Sequence, residues 1–383
     1  MRVLHTSDWH LGRSFHREDL LGAQARFVDF LVDTVRSERV DAVLVAGDVY
    51  DRALPSVDAV GLCNDALGRL ASIGTRVVLI SGNHDSARRL GFGADLIDTA
   101  GIHLRTDPTR SGTPVLLPDA RGDVAVYAVP YLEPDAVKDA FGCQDRSHQA
   151  VLGSALDRVR ADLATRPGTR SVALAHAFVT GAAPSDSERD ISVGGVSSVA
   201  ASTFTGVDYT ALGHLHGAQA PAAAVRYSGS PVAYSFSEAQ QRKGVLLVEL
   251  GAVPGSPAQV ELVPTPVERA LARVSGRLDD LLTSSRWEAL TGHYLQVTLT
   301  DPLRPREPME RLRARFPHVL VLGFEPEGVS AGDDRSYAAR LRGRSDLEVA
   351  DDFVEHVRGG VEPAESAILA EAFEAVRLAE ASS

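Results

Sequence analysis

Apolar and polar positions alternate along the first half of the chain with two different periods. Short apolar runs at residues 2–6, 42–46, 76–80, 171–175 and 208–212 have the length and β-branched content of buried strands. Among them, residues 19–37, 56–73 and 86–99 repeat apolar side chains at helical spacing. Residues 124–129 and 244–250 add two further strand-like runs. Strands alternating with helices predict an α/β layered core. Residues 251–266, rich in Pro and Gly, predict a connector. A smaller βα pattern follows, strand-like at 294–300, helix-like at 307–316 and strand-like again at 319–324. Residues 328–345 are polar and arginine-rich, and two short amphipathic helices are expected at 347–357 and 365–378, separated by Gly359, Gly360 and Pro363. On the last of these Leu369, Phe373 and Val376 share one face. The pattern divides the chain at 1–265, 266–330, 331–345 and 346–383.

Composition narrows the class. A hydrophobic share of 44% and a charged share of 23% over 383 residues are those of a soluble globular protein. No run approaches the ~20 apolar residues of a membrane span, and the opening Met1-Arg2-Val3-Leu4-His5 reads as a strand, not a leader. Cys63 and Cys143 are the only cysteines, too few for a disulfide framework, so a reducing cytoplasm is expected. The formal charge of −12 bears on nucleic acid, because non-specific DNA affinity comes mostly from neutralised phosphates. A chain this acidic needs either clustered basic residues or a partner to grip DNA. No G-x-x-x-x-G-K-[ST] phosphate loop is present.

The candidate chemistry sits just after the strand-like runs. The first is followed by Asp8-Trp9-His10, the second by Gly47-Asp48 and the third by Gly82-Asn83-His84-Asp85. The fourth is followed by His176 and the fifth by Gly213-His214-Leu215-His216. Ligands of open α/β sheets gather beyond the strand ends, so segments spread over more than 200 positions can converge. Imidazole, carboxylate and amide oxygen together suit Mn, Fe or Zn, and a carboxylate can bridge two ions. Gly47 and Gly82 allow sharp turns and close approach. In Asp8-x-His10 and His214-x-His216, extended backbone would place both side chains on one side. Two adjacent ions suit in-line phosphoryl displacement. His84 is the expected proton donor to the leaving group, with Asp85 expected to fix its tautomer.

With these residues in place, the chain resembles the calcineurin-like metallophosphoesterases. The segments His5–Gly12, Val45–Arg52, Ser187–Ile191 and Tyr227–Pro231 narrow the likeness to the SbcD-type nucleases, over nearly the whole chain. The resemblance implies a layered metallophosphoesterase core (1–265), a small α+β capping domain (266–330), an arginine-rich linker and a helical segment (346–383). It implies two divalent ions, usually manganese. Asp8, His10, Asp48 and His216 would hold one ion, and Asp48, Asn83, His176 and His214 the other. His84 would assist catalysis, and Asp51 is left out of the ligand set. The implied activity is exonuclease action on duplex DNA ends and endonuclease action on single strands and hairpins, in repair and recombination. The implied partners are an SbcC-type coiled-coil ATPase docked by the C-terminal helices and a second copy of the chain in a heterotetramer, with no membrane involved. Arg304, Arg306, Arg311, Arg313 and Arg315 could meet the DNA backbone. The alternatives are a phosphodiesterase acting on small phosphoesters or phosphoproteins, and a non-catalytic scaffold that kept the fold.

Overall fold

The computed structural model describes residues 1–192, 198–327 and 344–381, with the backbone alone at 356 and 379–381. Most of the expected arginine-rich linker therefore lies outside the described residues. The chain forms two compact units, Met1–Arg273 and Val274–Ser383.

The first unit is built on two six-stranded sheets. One has the order Gln259–Pro264, Gly244–Glu249, Arg2–Thr6, Ala42–Ala46, Arg76–Ile80, Ile102–Arg105. The other runs Gln219–Ala222, Val225–Tyr227, Tyr209–Gly213, Arg170–His176, Val124–Ala128, Val115–Leu117. The central strands of both are parallel. Alternation along each strand explains the layering. In Ala42–Ala46, Val43 and Val45 pack toward helices Leu21–Ser37 and Val57–Ile73, while Ala42 and Leu44 face the second sheet. In Val124–Ala128, Val124, Val126 and Ala128 face the first sheet, while Ala125 and Tyr127 meet helices Pro134–Phe141 and His148–Ala164. The result is a helix–sheet–sheet–helix stack. Strands covered on both faces are predominantly apolar, and that is why they read as near-continuous runs. His5 joins the two sheets, its ring nitrogens 3.0 Å from the Tyr209 hydroxyl and 3.1 Å from the Leu212 carbonyl. Burial lowers its pKa to about 3, so it is a neutral structural residue.

Three expectations change. Residues 86–99 are not one helix but two single turns, Ala87–Leu90 and Ala94–Ile97, broken where Gly93 takes φ +75°. The connector at 251–266 contains Gln259–Pro264, a full edge strand paired antiparallel with Gly244–Glu249. The helices Pro134–Phe141 and His148–Ala164, not anticipated, cover the second sheet.

In the second unit, strand Tyr294–Leu299 lies between Leu271–Gly276 and Val319–Phe324, with helix Pro308–Arg315 after it in the chain. Helices Asp346–Arg358 and Pro363–Ala381 contact each other through Ser366 to Asp351 (2.8 Å) and Arg358 to Glu365 (2.8 Å). A Ser345/Glu348 capping box starts the first, and Gly359 at φ +79° ends it. No helix among the described residues is long and apolar enough to cross a membrane.

Candidate metal centre

The parallel strands of both sheets deliver their C-terminal ends to one edge. Thr6 leads to Asp8 and His10, Ala46 to Asp48, and Ile80 to Asn83 and His84 from the first sheet. His176 and Gly213–His216 arrive from the second. Three overlapping groups bring their ligand atoms within 4.8 Å of one another: Asp8, His10 and His216; Asp8, Asp48 and His176; His10, Asp48 and His84. Asn83 and His214 join them, since the Asn83 Oδ1 lies 2.9 Å from His176 Nε2 and 3.1 Å from His214 Nδ1. All seven expected ligands and His84 are thus gathered in one place.

The backbone route differs from the expected extended one. Asp8, His10, Asp48 and His214 have φ of 53°, 44°, 50° and 104°, all in the left-handed region that non-glycine residues avoid. Loop-to-loop hydrogen bonds hold them there. Asp8 N reaches the Gly47 carbonyl (3.0 Å), and His10 N the Asp48 carbonyl (3.0 Å). His214 N donates to both Asp8 oxygens at 3.0 and 3.2 Å. Gly47 and Gly82 make the packing possible: a Cβ on Gly47 would stand 2.4 Å from His176 Nδ1, and one on Gly82 2.1 Å from Asp48 Oδ1.

The hydrogen-bond pattern makes the centre a cation site. His176 Nδ1 meets the Ala46 carbonyl at 2.9 Å and must donate to it, which leaves Nε2 facing Asn83 Oδ1 and, at 3.4 Å, Asp48 Oδ2. Three lone-pair donors therefore converge, an arrangement that a positive charge satisfies. Without an ion a proton supplies that charge: burial would lower the His176 pKa, but the Asp48 carboxylate outweighs it and raises it to about 9. Burial likewise opposes ionisation of Asp48, yet His176, His10 and His84 hold its carboxyl well below the usual range. Asp8 is pushed up to about 6 by burial. His10 and His214 are held low by burial, His214 at about 3, so both offer neutral imidazoles. Nε2 of His10 and of His216 stand 3.1 Å apart, and Nδ1 of His10 is buried without a hydrogen-bond partner in the described structure. The residues fit divalent metal ions in number and kind.

Asp85 does not take the role expected of it. Its carboxylate accepts the backbone N–H groups of Val49 (3.1 Å), Tyr50 (2.9 Å) and Gly82 (2.9 Å), so it clamps the Asp48 loop to the Asn83 loop. Burial, with Asp48 nearby, raises its pKa to about 7. His84 takes its tautomer from the Asp51 carbonyl, 2.8 Å from Nδ1, which leaves Nε2 available. The Asp51 side chain lies 3.7 Å from His10 Nδ1 and 3.7 Å from Arg13 Nε.

Several supporting residues were not anticipated in this role, although Ser187 and Glu188 lie in a segment that carries the family likeness. Gln24 donates to the His10 carbonyl (2.8 Å), and the Tyr234 hydroxyl to the Trp9 carbonyl (2.5 Å). Ser187, Glu188, Glu238 and Lys243 surround His216. Lys243 is one of only two lysines, but its burial could not be read from sequence.

Two family profiles and several solved structures are similar to this chain. A family profile described as SbcD_C, "Type 5 capsule protein repressor C-terminal domain", matches residues 267–358. Among solved structures, TT1561 of Thermus thermophilus is 14% identical, with 68% of this chain and 98% of that chain covered and a TM-score of 0.39. A dimetal phosphatase from Danio rerio is 12% identical, with 70% and 99% covered and a TM-score of 0.41. GAP50, the anchor in the inner membrane complex of Plasmodium, is 12% identical, with 85% and 98% covered and a TM-score of 0.43. The profile described as "Calcineurin-like phosphoesterase" matches residues 1–218, more than half of the chain and every residue of the metal centre, and the chain belongs to that family.

Proposed function

We propose that this chain is a manganese-activated DNA phosphodiesterase, the nuclease subunit of an SbcCD-type complex in DNA repair and recombination. The observation that carries the reading is one chain joining a phosphoesterase metal centre to a C-terminal region of SbcD_C type. In this reading Asp8, His10, Asp48 and His216 would hold one ion, and Asp48, Asn83, His176 and His214 the other, with Asp48 common to both sets. Ions bound there supply Lewis-acid charge to the scissile phosphate and raise the acidity of the attacking water. His84 acts on the leaving oxygen. With Nδ1 committed to the Asp51 carbonyl, its Nε2 is the atom that delivers the proton. Asp85 keeps the Asp48 and Asn83 loops in register.

Residues 266–330 serve as the capping domain that favours DNA over small phosphates. Arg304 and Arg306 are exposed and suit a phosphate backbone. Arg315 does not, because it donates to the carbonyls of Leu281 (2.9 Å) and Ser284 (2.8 Å). Arg311 lies 3.2 Å from Asp279. The helical pair 346–381 presents Phe353, Val357 and Ile368, each more than half exposed, as the face that docks on the coiled-coil ATPase. That partner, together with a second copy of the chain, supplies the grip on DNA that a net charge of −12 withholds.

The test is digestion of end-labelled duplex DNA in manganese, alone and with the coiled-coil ATPase and ATP, beside His84→Gln and a chelator control. The expected result is manganese-dependent degradation, abolished by chelator and lowered about 10²–10⁴-fold by His84→Gln. Absence of cleavage in every condition, with rapid hydrolysis of bis-p-nitrophenyl phosphate, would replace DNA by small phosphoesters as the substrate.

A further inference from the structure

His216 is anchored at both ends by a buried network that makes no hydrogen bond to the ring of any other imidazole ligand. Its Nδ1 stands 2.6 Å from the Ser187 hydroxyl, and that hydroxyl also makes a short hydrogen bond to Glu238 Oε1. A carboxylate can only accept, so the single hydroxyl hydrogen of Ser187 goes to Glu238. The Ser187 oxygen must then accept from His216 Nδ1–H. The ring is left with its lone pair on Nε2, directed at Nε2 of His10 3.1 Å away.

Glu238 is itself fixed. Its Oε2 lies 2.5 Å from Lys243 Nζ and accepts the Tyr234 N–H at 3.2 Å. Lys243 turns back on the same histidine, donating to the His216 carbonyl at 2.8 Å, while Glu188 Oε1 accepts the His216 N–H at 2.8 Å. Ser187, His216, Glu238 and Lys243 are all at least nine-tenths buried. Such a buried Lys–Glu pair is a poor source of stability, because desolvation offsets most of its attraction. Its placement around one ligand suggests a different use.

We infer that Ser187 and Glu238, with Lys243 as counter-ion, are positioning residues that set the tautomer and ring orientation of His216 and so govern the affinity of one ion of the pair. The inference rests on the two-metal reading above. The second ion's donors, Asn83, His176 and His214, take their orientation from other groups, the Ala46 carbonyl and one another. Loss of the network should therefore weaken one site and spare the other. Partners of this kind are worth about 10–100-fold in metal affinity.

The experiment is titration of the chelator-stripped protein with Mn²⁺, followed by electron paramagnetic resonance of the free ion and by calorimetry. Three variants are compared with wild type: Ser187→Ala, its conservative counterpart Ser187→Thr, and Glu238→Gln/Lys243→Met, which removes the buried charges together so that neither is stranded. Thermal unfolding in chelator establishes that each variant is folded. Wild type should bind two ions. Ser187→Ala and the double variant should lose about 10–100-fold in affinity for one ion with the other unchanged, and Ser187→Thr should restore the lost site. Two ions bound at wild-type affinity by Ser187→Ala and the double variant, or equal weakening of both ions, would overturn the inference while leaving the two-metal reading intact. Failure of wild type to bind manganese would overturn both.

Discussion

Gly82→Ala tests whether the centre depends on the close contact of two loops. A methyl group there would stand 2.1 Å from Asp48 Oδ1, 2.4 Å from Asp48 N and 2.7 Å from Asp48 Cγ, where real Cβ contacts essentially never fall below 3.0 Å. Neither side can yield easily. Gly82 N is tied to Asp85, Asp48 Oδ1 accepts the His84 N–H at 2.8 Å, and Asp48 lies one residue, Gly47, beyond strand Ala42–Ala46. Relief requires a shift of roughly 1 Å, a misplacement that costs about 10²-fold in rate. Overpacking of a tight interior adds about 1–3 kcal/mol of destabilisation. The two losses are separable by manganese-dependent hydrolysis of bis-p-nitrophenyl phosphate and by urea unfolding in chelator. Gly68→Ala is the control: its Cβ would meet nothing within 4 Å on an exposed helical position, so it should gain about 0.5–1 kcal/mol and keep full activity. Wild-type activity and stability in Gly82→Ala would refute the argument that this glycine exists to admit Asp48.

Asp85→Ala removes the acceptor of three backbone N–H groups and should cost about 3 kcal/mol or more in urea unfolding; a variant as stable as wild type would remove Asp85 from its role as clamp. Asp119 offers a pH test away from the metal. Burial opposes its charge, but the hydrogen bond from buried Arg170 (2.5 Å) outweighs this and holds its carboxyl below the usual range. A lowered folded pKa gives stability that is present above the unfolded value of about 3.9 and is lost as pH falls through the folded value. Asp119→Asn should therefore be about 1–3 kcal/mol less stable than wild type at pH 7, with the gap closing below pH ~4. An equal gap at pH 7 and pH 3 would contradict the assignment.

The metal centre was legible because its chemistry is carried by residue type at strand ends. A strand buried on both faces is predominantly apolar, so an Asp or His at or just past its end stands out. The means of assembly were not legible. Adjacency in sequence put Asp85 beside His84, but the turn after Arg76–Ile80 sends that carboxylate back to the amides of residues 49, 50 and 82. Extended geometry fails for Asp8-x-His10 because both residues take left-handed φ, held by hydrogen bonds to the Gly47–Asp48 segment. The edge strand Gln259–Pro264 was hidden because flanking Pro and Gly outweighed the alternation of Val260 and Leu262 with Glu261 and Val263. Glu238 and Lys243 acquire meaning only when chain folding brings them to His216.

The left-handed residues explain why so much of this machinery belongs to the backbone. Each sparsely populated φ costs about 1–3 kcal/mol, and Asp8, His10, Asp48 and His214 carry four of them within one centre. Metal binding alone cannot maintain that strain, because the strained loops must exist for the donors to meet. The fold offsets it with paired backbone bonds between the Asp8–Leu11 and Gly47–Asp51 segments, which continue the parallel register of Arg2–Thr6 and Ala42–Ala46 beyond the strand ends. Asp85 and Gly82 then lock the third loop onto the second. The sheets thus fix the loops, the loops fix the donors, and the donors converge on a space suited to positive charge. Side chains such as Ser187 and Glu238 are left the finer task of deciding which nitrogen each imidazole presents.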